Sequence, residues 1–228
     1  MKLLIVTQKV DQHDDVLGFM HRWIAEFAAQ CEQITVICLY EGEHSLLENV
    51  RVFSLGKEWG VGRFGYVTNF FKLIWRERAT YDSVFVHMNV EYVVLGGLLW
   101  RMMGKRVGLW YAHGHVPMML RVAEKMVNVI FTSTKSGCRL IGSSKIRVVG
   151  QGIDTDFFVP GNVDKKKDEF RIVVVGRISP VKDYETLIRA VALVIESGKI
   201  SKKMRVTIVG GAGLPEQEKY LEDLKLLV

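Results

Sequence analysis

Metal-ligand spacing is missing from this sequence. Its three cysteines, Cys31, Cys38 and Cys138, are odd in number and widely separated, a usage that points to reduced thiols in a cytosolic compartment rather than to a disulfide frame or a zinc site. No Asp-x-Asp pair stands at the end of an apolar run. The nearest approach to a ligand cluster, Asp11, His13, Asp14 and Asp15, is crowded into one loop and reads as a solvated turn or an acceptor-contacting edge. No metal and no other cofactor is therefore expected. Long apolar runs are scarce too. Met1 to Thr7 is too short for a signal peptide and reads as a first strand. Val90 to Leu99 is bounded by Glu91 and Arg101 below spanning length, and reads as a buried core helix. A recognisable nucleic-acid motif and regular aromatic interleaving are also lacking, so nucleic acid is not expected as a partner.

What is present is ordinary globular material. In 228 residues, 49% are hydrophobic and 25% charged, enough for a sizeable core in a chain longer than one typical domain and shorter than two. The net charge of +6 hides an asymmetry: residues 1–50 carry three Lys or Arg against eight acids, and residues 51–147 carry fifteen against five. The basic region 51–147 asks for an anionic partner, a membrane surface or a phosphorylated substrate. Within it, Val67 to Arg78 is amphipathic, with Val67, Phe70, Phe71, Ile74 and Trp75 on one side and Lys72, Arg76 and Arg78 toward the other. Such a helix packs on its own sheet or rests on anionic lipid.

Short apolar runs alternate with helical or turn segments along the first two thirds of the chain. Lys2–Thr7, Ile34–Tyr40, Val50–Leu55, Ser83–His87, Arg106–Tyr111, Val129–Thr132 and Ile146–Val149 read as strands. Gly56, Gly60, Gly62 and Gly65 mark a loop rather than a phosphate cradle. The alternation predicts an α/β protein with a doubly wound parallel sheet. Gln151 to Pro160 closes this domain, residues 161–169 with Lys165, Lys166 and Lys167 form a polar linker, and a second α/β unit follows from residue 170.

That second unit opens on the stretch around which the chain is organised. Ile172 to Val175 reads as a strand buried on both faces, ended by Gly176. Leu187, Ile188, Val191, Val194 and Ile195 then fall at helical spacing behind Asp183 and Glu185. Between strand and helix stand Arg177 and Lys182, a planar fork of donors and a mobile point charge. They lie where open α/β sheets bind ligands, and together they suit a diphosphate. Gly210 to Gly213 after Val209 reads as the tight turn of a further βα unit, because Leu214, Pro215 and Glu216 break the dinucleotide pattern.

The residues Val-Gly-Arg-Ile-Ser-Pro-Val-Lys-Asp from Val175 to Asp183 resemble the donor-phosphate motif of the retaining nucleotide-sugar glycosyltransferases of family 4, which have the GT-B fold. The resemblance implies two Rossmann-like domains, 1–160 and 170–228, a nucleotide-diphosphate sugar as donor, and a leaving group held by Arg177 and Lys182 at Gly176. It implies a glycan or lipid-linked acceptor at a cytoplasmic membrane face. A family histidine after the apolar strand Arg106–Tyr111 is matched by His113, with His115 as the second choice, and is implied to contact the donor sugar near the reacting centre. His87, ending another strand, and Gly18, at the first helix start, are further candidates for donor or acceptor contact. Many members carry paired glycines in the first βα loop, where only Gly18 stands here.

The second domain departs from the family. Two βα units are present where a full domain is expected, and no residue matches the family's pair of glutamates. The chain is therefore expected to be a fragment, inactive or nearly so alone, with residues 170–228 poorly stable because two strands leave an unpaired edge and an uncovered apolar face. Three rival readings differ in their chemistry: a non-catalytic nucleotide- or phosphate-binding module, a sugar-nucleotide epimerase, and a peripheral membrane interaction protein.

Overall fold

The computed structural model describes residues 1–161, 168–200 and 203–228, so that residues 162–167 of the expected linker lie outside the described residues. The chain divides into two compact units, Met1–Ile153 and Asp154–Val228.

The first unit is a seven-stranded parallel sheet. Its strands are β1 (Lys2–Val10), β2 (Gln33–Glu41), β3 (Val50–Ser54), β4 (Ser83–His87), β5 (Arg106–Trp110), β6 (Val129–Thr132) and β7 (Ile146–Val148). They are ordered β3-β2-β1-β4-β5-β6-β7. The central strands read as unbroken apolar runs because both of their faces are covered. In β1, Leu3, Leu4, Ile5 and Val6 are all buried. Strand order reverses between β1 and β4, so crossovers of one hand deliver helices to both faces. Helix α1 (Phe19–Gln30) covers one face, packing Met20, Ile24 and Ala28 over Leu3, Ile5, Ile34 and Val36. Helices α2 (Arg63–Arg76), α3 (Val90–Met102) and α4 (Met118–Met126) cover the other, around Leu4, Val6, Phe70, Trp100 and Leu109.

Two local details differ from the sequence reading. Gly65 lies inside α2, which begins at Arg63 rather than Val67, while Gly56 and Gly60 adopt left-handed φ around a short turn at Lys57–Trp59. Helix α3 is buried along one side, but Leu98 and Met102 face solvent. On its buried side, Gly97 brings α4 close: a methyl there would lie 2.8 Å from Met126 Cβ. Trp100, fully buried, donates its indole N–H to Tyr81 Oη at 3.3 Å.

The second unit pairs β8 (Glu169–Val175) with β9 (Lys203–Val209) in parallel, with α5 (Tyr184–Glu196) and α6 (Pro215–Leu226). Ile178, Tyr184, Tyr220 and Leu224 form its core, joined by Val174, Ile188 and Ile208. The expectation that Ile172–Val175 is buried on both faces is corrected here. Burial alternates along β8, and Val175 is 76% exposed. Both helices pack on the face of Val174 and Ile208, and the face of Val173, Val175 and Val209 is open. The helix spacing holds except at Ile195, which is exposed.

Candidate functional site

In the second unit, the turn after β8 is built by contacts that hold its backbone in one shape. Gly176 donates to Val209 O at 2.9 Å and Ile178 N donates to Gly211 O at 3.0 Å, tying the two βα turns together. Tyr184, 1% exposed, donates its hydroxyl to Gly176 O at 3.1 Å and to Arg177 O at 3.2 Å. Its own N–H goes to Tyr220 Oη at 3.2 Å. Gly210 has no room for a side chain, since a methyl there would strike Gly176 O and come within 2.8 Å of Gly176 C. Asp183 adopts left-handed φ and caps α5, accepting from Thr186 N at 3.4 Å. Such a cap satisfies an orphan amide of the first helical turn. Gln217, buried, accepts from Gly213 N at 3.0 Å and secures the second turn.

Arg177 and Lys182 project from this frame. Both are exposed, and neither forms an ion pair with a described residue. Lys182 folds its stem back over Gly176, where a methyl would lie 3.4 Å from Lys182 Cε. The ammonium is thereby carried toward the strand end from which Arg177 departs. Two unpaired cations on a rigid turn at the carboxyl end of a parallel strand form a site for an anion with more than one charged oxygen. Tyr184 and Gln217 escaped the sequence reading, and Gly210 stood there only as the start of a tight turn. The approach of two turns leaves no local pattern, although the paired glycines at Gly210 and Gly211 are its trace.

In the first unit, His113 and His115 lie exposed in the loop between β5 and α4. Tyr111 anchors this loop, donating its hydroxyl to His115 O at 2.8 Å. His113 Nδ1 accepts from His115 N at 3.1 Å, so the neutral ring carries its proton on Nε2 and presents a donor outward. Arg139, from the loop after β6, stands beside the same turn: a methyl on Gly114 would lie 3.6 Å from Arg139 Cζ. The sequence reading did not single it out.

His87 and Gly18 are placed differently. The His87 ring is buried at the end of β4, edge-on to Phe19 at 5.6 Å and to Trp23 at 5.8 Å. Burial pushes its pKa down to about 4, so the ring is neutral near pH 7. Gly18 donates its N–H to Asp14 O at 2.9 Å, and a methyl there would lie 2.6 Å from the same oxygen. Asp14 Oδ1 takes the amides of Val16 and Leu17 at 2.9 and 2.6 Å. Asp14 thus binds amides just ahead of the helix, while the first-turn amides of Met20 and His21 go to Leu17 O and Gly18 O and no side chain caps the helix. Lys9 holds Asp14 at 2.7 Å and Asp11 at 3.2 Å. The Lys9 hydrogen bond keeps Asp14 below the usual carboxylate range, whereas for Asp11 the amide of His13 does most of this and Lys9 adds to it. These acids organise the loop as a solvated turn.

A cavity of about 570 Å³ beside α1 is lined by Trp23, Phe27, Phe85, Trp110 and Phe131. It carries no cation for a phosphate. Among the described residues, no group of three or more His, Cys, Asp and Glu side chains is arranged to hold a metal ion. The cysteines are buried free thiols, and burial pushes Cys38 and Cys138 up, away from the thiolate. No helix among the described residues is long and apolar enough to cross a membrane.

A seven-stranded doubly wound sheet followed by two βα units is an α/β fold of the GT-B type. The chain superposes on Alr3699/HepE from Anabaena, solved with UDP, at a TM-score of 0.71 and 17% identity, covering 100% of this chain and 65% of that one. It also superposes on the UDP-GlcNAc 2-epimerase of Methanocaldococcus jannaschii at a TM-score of 0.53 and 15% identity, covering 99% of this chain and 69% of that one. In sequence, 90 residues are 31% identical to the D-inositol 3-phosphate glycosyltransferase of Kribbella flavida, 35% of this chain and 21% of that protein. The chain thus spans about a fifth of that relative in the alignment and under two thirds of the Anabaena structure. No protein-family model matches the chain.

Proposed function

We propose that this chain carries the acceptor-side domain and the phosphate-gripping turn of a retaining, family 4 type glycosyltransferase, which moves a sugar from a nucleotide-diphosphate donor to a glycan or lipid-linked acceptor. The observation that carries the reading is the pair Arg177 and Lys182, exposed and without an ion pair to any described residue, on a turn that Tyr184 holds rigid. The UDP and UDP-glucose complexes of the Anabaena structure support a nucleotide sugar as donor. As the glycosidic bond to the diphosphate breaks, negative charge grows on the departing oxygens. Arg177 and Lys182 stabilise that charge where a metal ion would otherwise serve. His113, with Nε2–H turned outward, donates to the donor sugar and helps to fix the anomeric carbon against the acceptor. His115 and Arg139 border the same loop, and Gly210 lets the second turn approach Gly176, where the diphosphate is held; His87 and Gly18 are given no direct contact. The protein works on the cytoplasmic side.

Calorimetric titration with UDP tests the reading. Binding to this chain should weaken about tenfold or more in Arg177→Ala and in Lys182→Ala, the scale of one charge-assisted hydrogen bond. Unchanged affinity in both variants would overturn it. The likeness to UDP-GlcNAc 2-epimerases supports a second reading on the same fold, which predicts interconversion of the nucleotide sugar without any acceptor.

A further inference from the structure

The edge of the first sheet remote from the His113 loop gathers cations. Helix α3 ends at Met102, Gly104 takes a left-handed φ of 69°, and Lys105 and Arg106 lead into β5. Lys145 stands just ahead of β7, and Asn128 lies between Met126, the last residue of α4, and β6. Because these strands run parallel, all of these residues share one edge, at the amino ends of β5, β6 and β7. With Arg101 they line a cavity of about 390 Å³. Four of the fifteen cations of residues 51–147, namely Arg101, Lys105, Arg106 and Lys145, thus surround one concavity that no described acid lines.

Three of the four are fixed in place. Lys105 Nζ donates to Tyr81 O at 2.5 Å and to Arg78 O at 2.8 Å. Lys145 Nζ donates to Glu124 O at 2.6 Å and to Val127 O at 2.8 Å. Arg101 Nη1 donates to Lys125 O at 2.8 Å. Cations near helix ends satisfy orphan carbonyls and oppose the dipole. Such capping explains each contact singly, but the ends of α3 and α4 supply only about −0.5 of a charge each. It leaves Arg106 without a role: the residue is exposed, and its side chain forms no hydrogen bond or ion pair with a described residue. Asp82 and Glu124, whose backbones meet Arg106 and Lys145, make no ion pair with any of the four. One uncommitted donor on each ammonium and most of both guanidinium forks therefore remain around one space.

We propose that this cavity binds a soluble anion carrying two or more phosphate groups, at a site separate from the diphosphate turn of the second unit. Guanidinium forks meet phosphate oxygens two at a time, and ammonium groups add point charges. A single carboxylate would leave most of four positive charges unmet. The volume lies within the ~300–1,000 Å³ of small-molecule sites. No aromatic ring lines the cavity to stack a base, so recognition rests on the phosphates. The site shares no residue with Arg177, Lys182 or His113, and it sits at the opposite strand ends from the loop of His113. An occupant would tie the end of α3 to the end of α4 and so stabilise the first unit.

The test is titration of the full chain with inorganic triphosphate, read by amide chemical shifts. Signals of residues 101–106, 125–128 and 145 should move, a set apart from Gly176 to Lys182, so that failure here and failure of the diphosphate reading are told apart. Arg101→Gln with Arg106→Gln, checked for an unchanged circular dichroism melt, should weaken binding at the first set about tenfold or more and leave the second set as it was. Arg106→Gln alone, at a side chain that holds no other part of the fold, should already weaken it about threefold or more. Sulfate at the same concentration should move the first set far less. Absence of shifts in the first set, or affinity there unaltered in both variants, overturns the proposal. So does sulfate binding as tightly as triphosphate, which would mark an adventitious ion only.

Discussion

The two units of this chain solve the same packing problem to different depths. In the first, β1 is flanked by two strands and has helices on both faces, so that Leu3, Leu4, Ile5 and Val6 all vanish from solvent. In the second, β8 has one partner strand and one covered face, and the sequence Ile-Val-Val-Val from Ile172 is half-buried at alternate positions and exposed at the others. The same kind of apolar run has two fates, decided by neighbours rather than by the run itself. The first unit is held by a core on both faces of its sheet, and the second by a core on one face together with the hydrogen bonds between its two turns.

That contrast can be broken from either side. Trp100→Ala empties the centre of the first unit and should cost about 3–5 kcal/mol. Urea unfolding followed by hydrogen exchange should show the loss in β1, β4 and β5, while protection in β8 and β9 stays as it was. A smaller effect comes from acid. The folded His87 ring takes its proton near pH 4 and the unfolded one near 6.5, so protonation favours the unfolded state. Stability of the first unit should be full above about pH 6.5 and fall by about 3 kcal/mol as pH drops to 4. Unfolding curves at a series of pH values should show this slope flattened in His87→Phe. The smallest effect belongs to the second unit, where Gly210→Ala sets a methyl against the Gly176 carbonyl. A cost of about 1–3 kcal/mol should appear as faster exchange in β8 and β9 with no change in the first unit.

Legibility in the sequence followed the same division. Strands β4 and β6 fall where their apolar runs stand, because a covered parallel strand has little else to show. The start of α2 was hidden: Gly62 precedes it in extended backbone without a side-chain cap, and Gly65 within it imitates a loop. The turn carrying Arg177 and Lys182 was readable as strand, glycine, cations and helix. What makes it rigid was not, since Tyr184 and Gly210 act by meeting backbone from another part of the chain. His87 was readable as the end of a strand, but its enclosure by Phe19 and Trp23 depends on where α1 lies. Arg139 reaches the His113 loop from a neighbouring strand end, a proximity that only strand order creates.

The claim that the second unit grips a diphosphate is tested most directly by mapping amide chemical shifts of the full chain during titration with UDP. The account predicts the largest changes at Gly176 to Lys182 and at Gly210 to Gly213, with those changes lost in the Arg177→Ala, Lys182→Ala double variant. Shifts confined to the first unit, or a map that survives unaltered in the double variant, would contradict it.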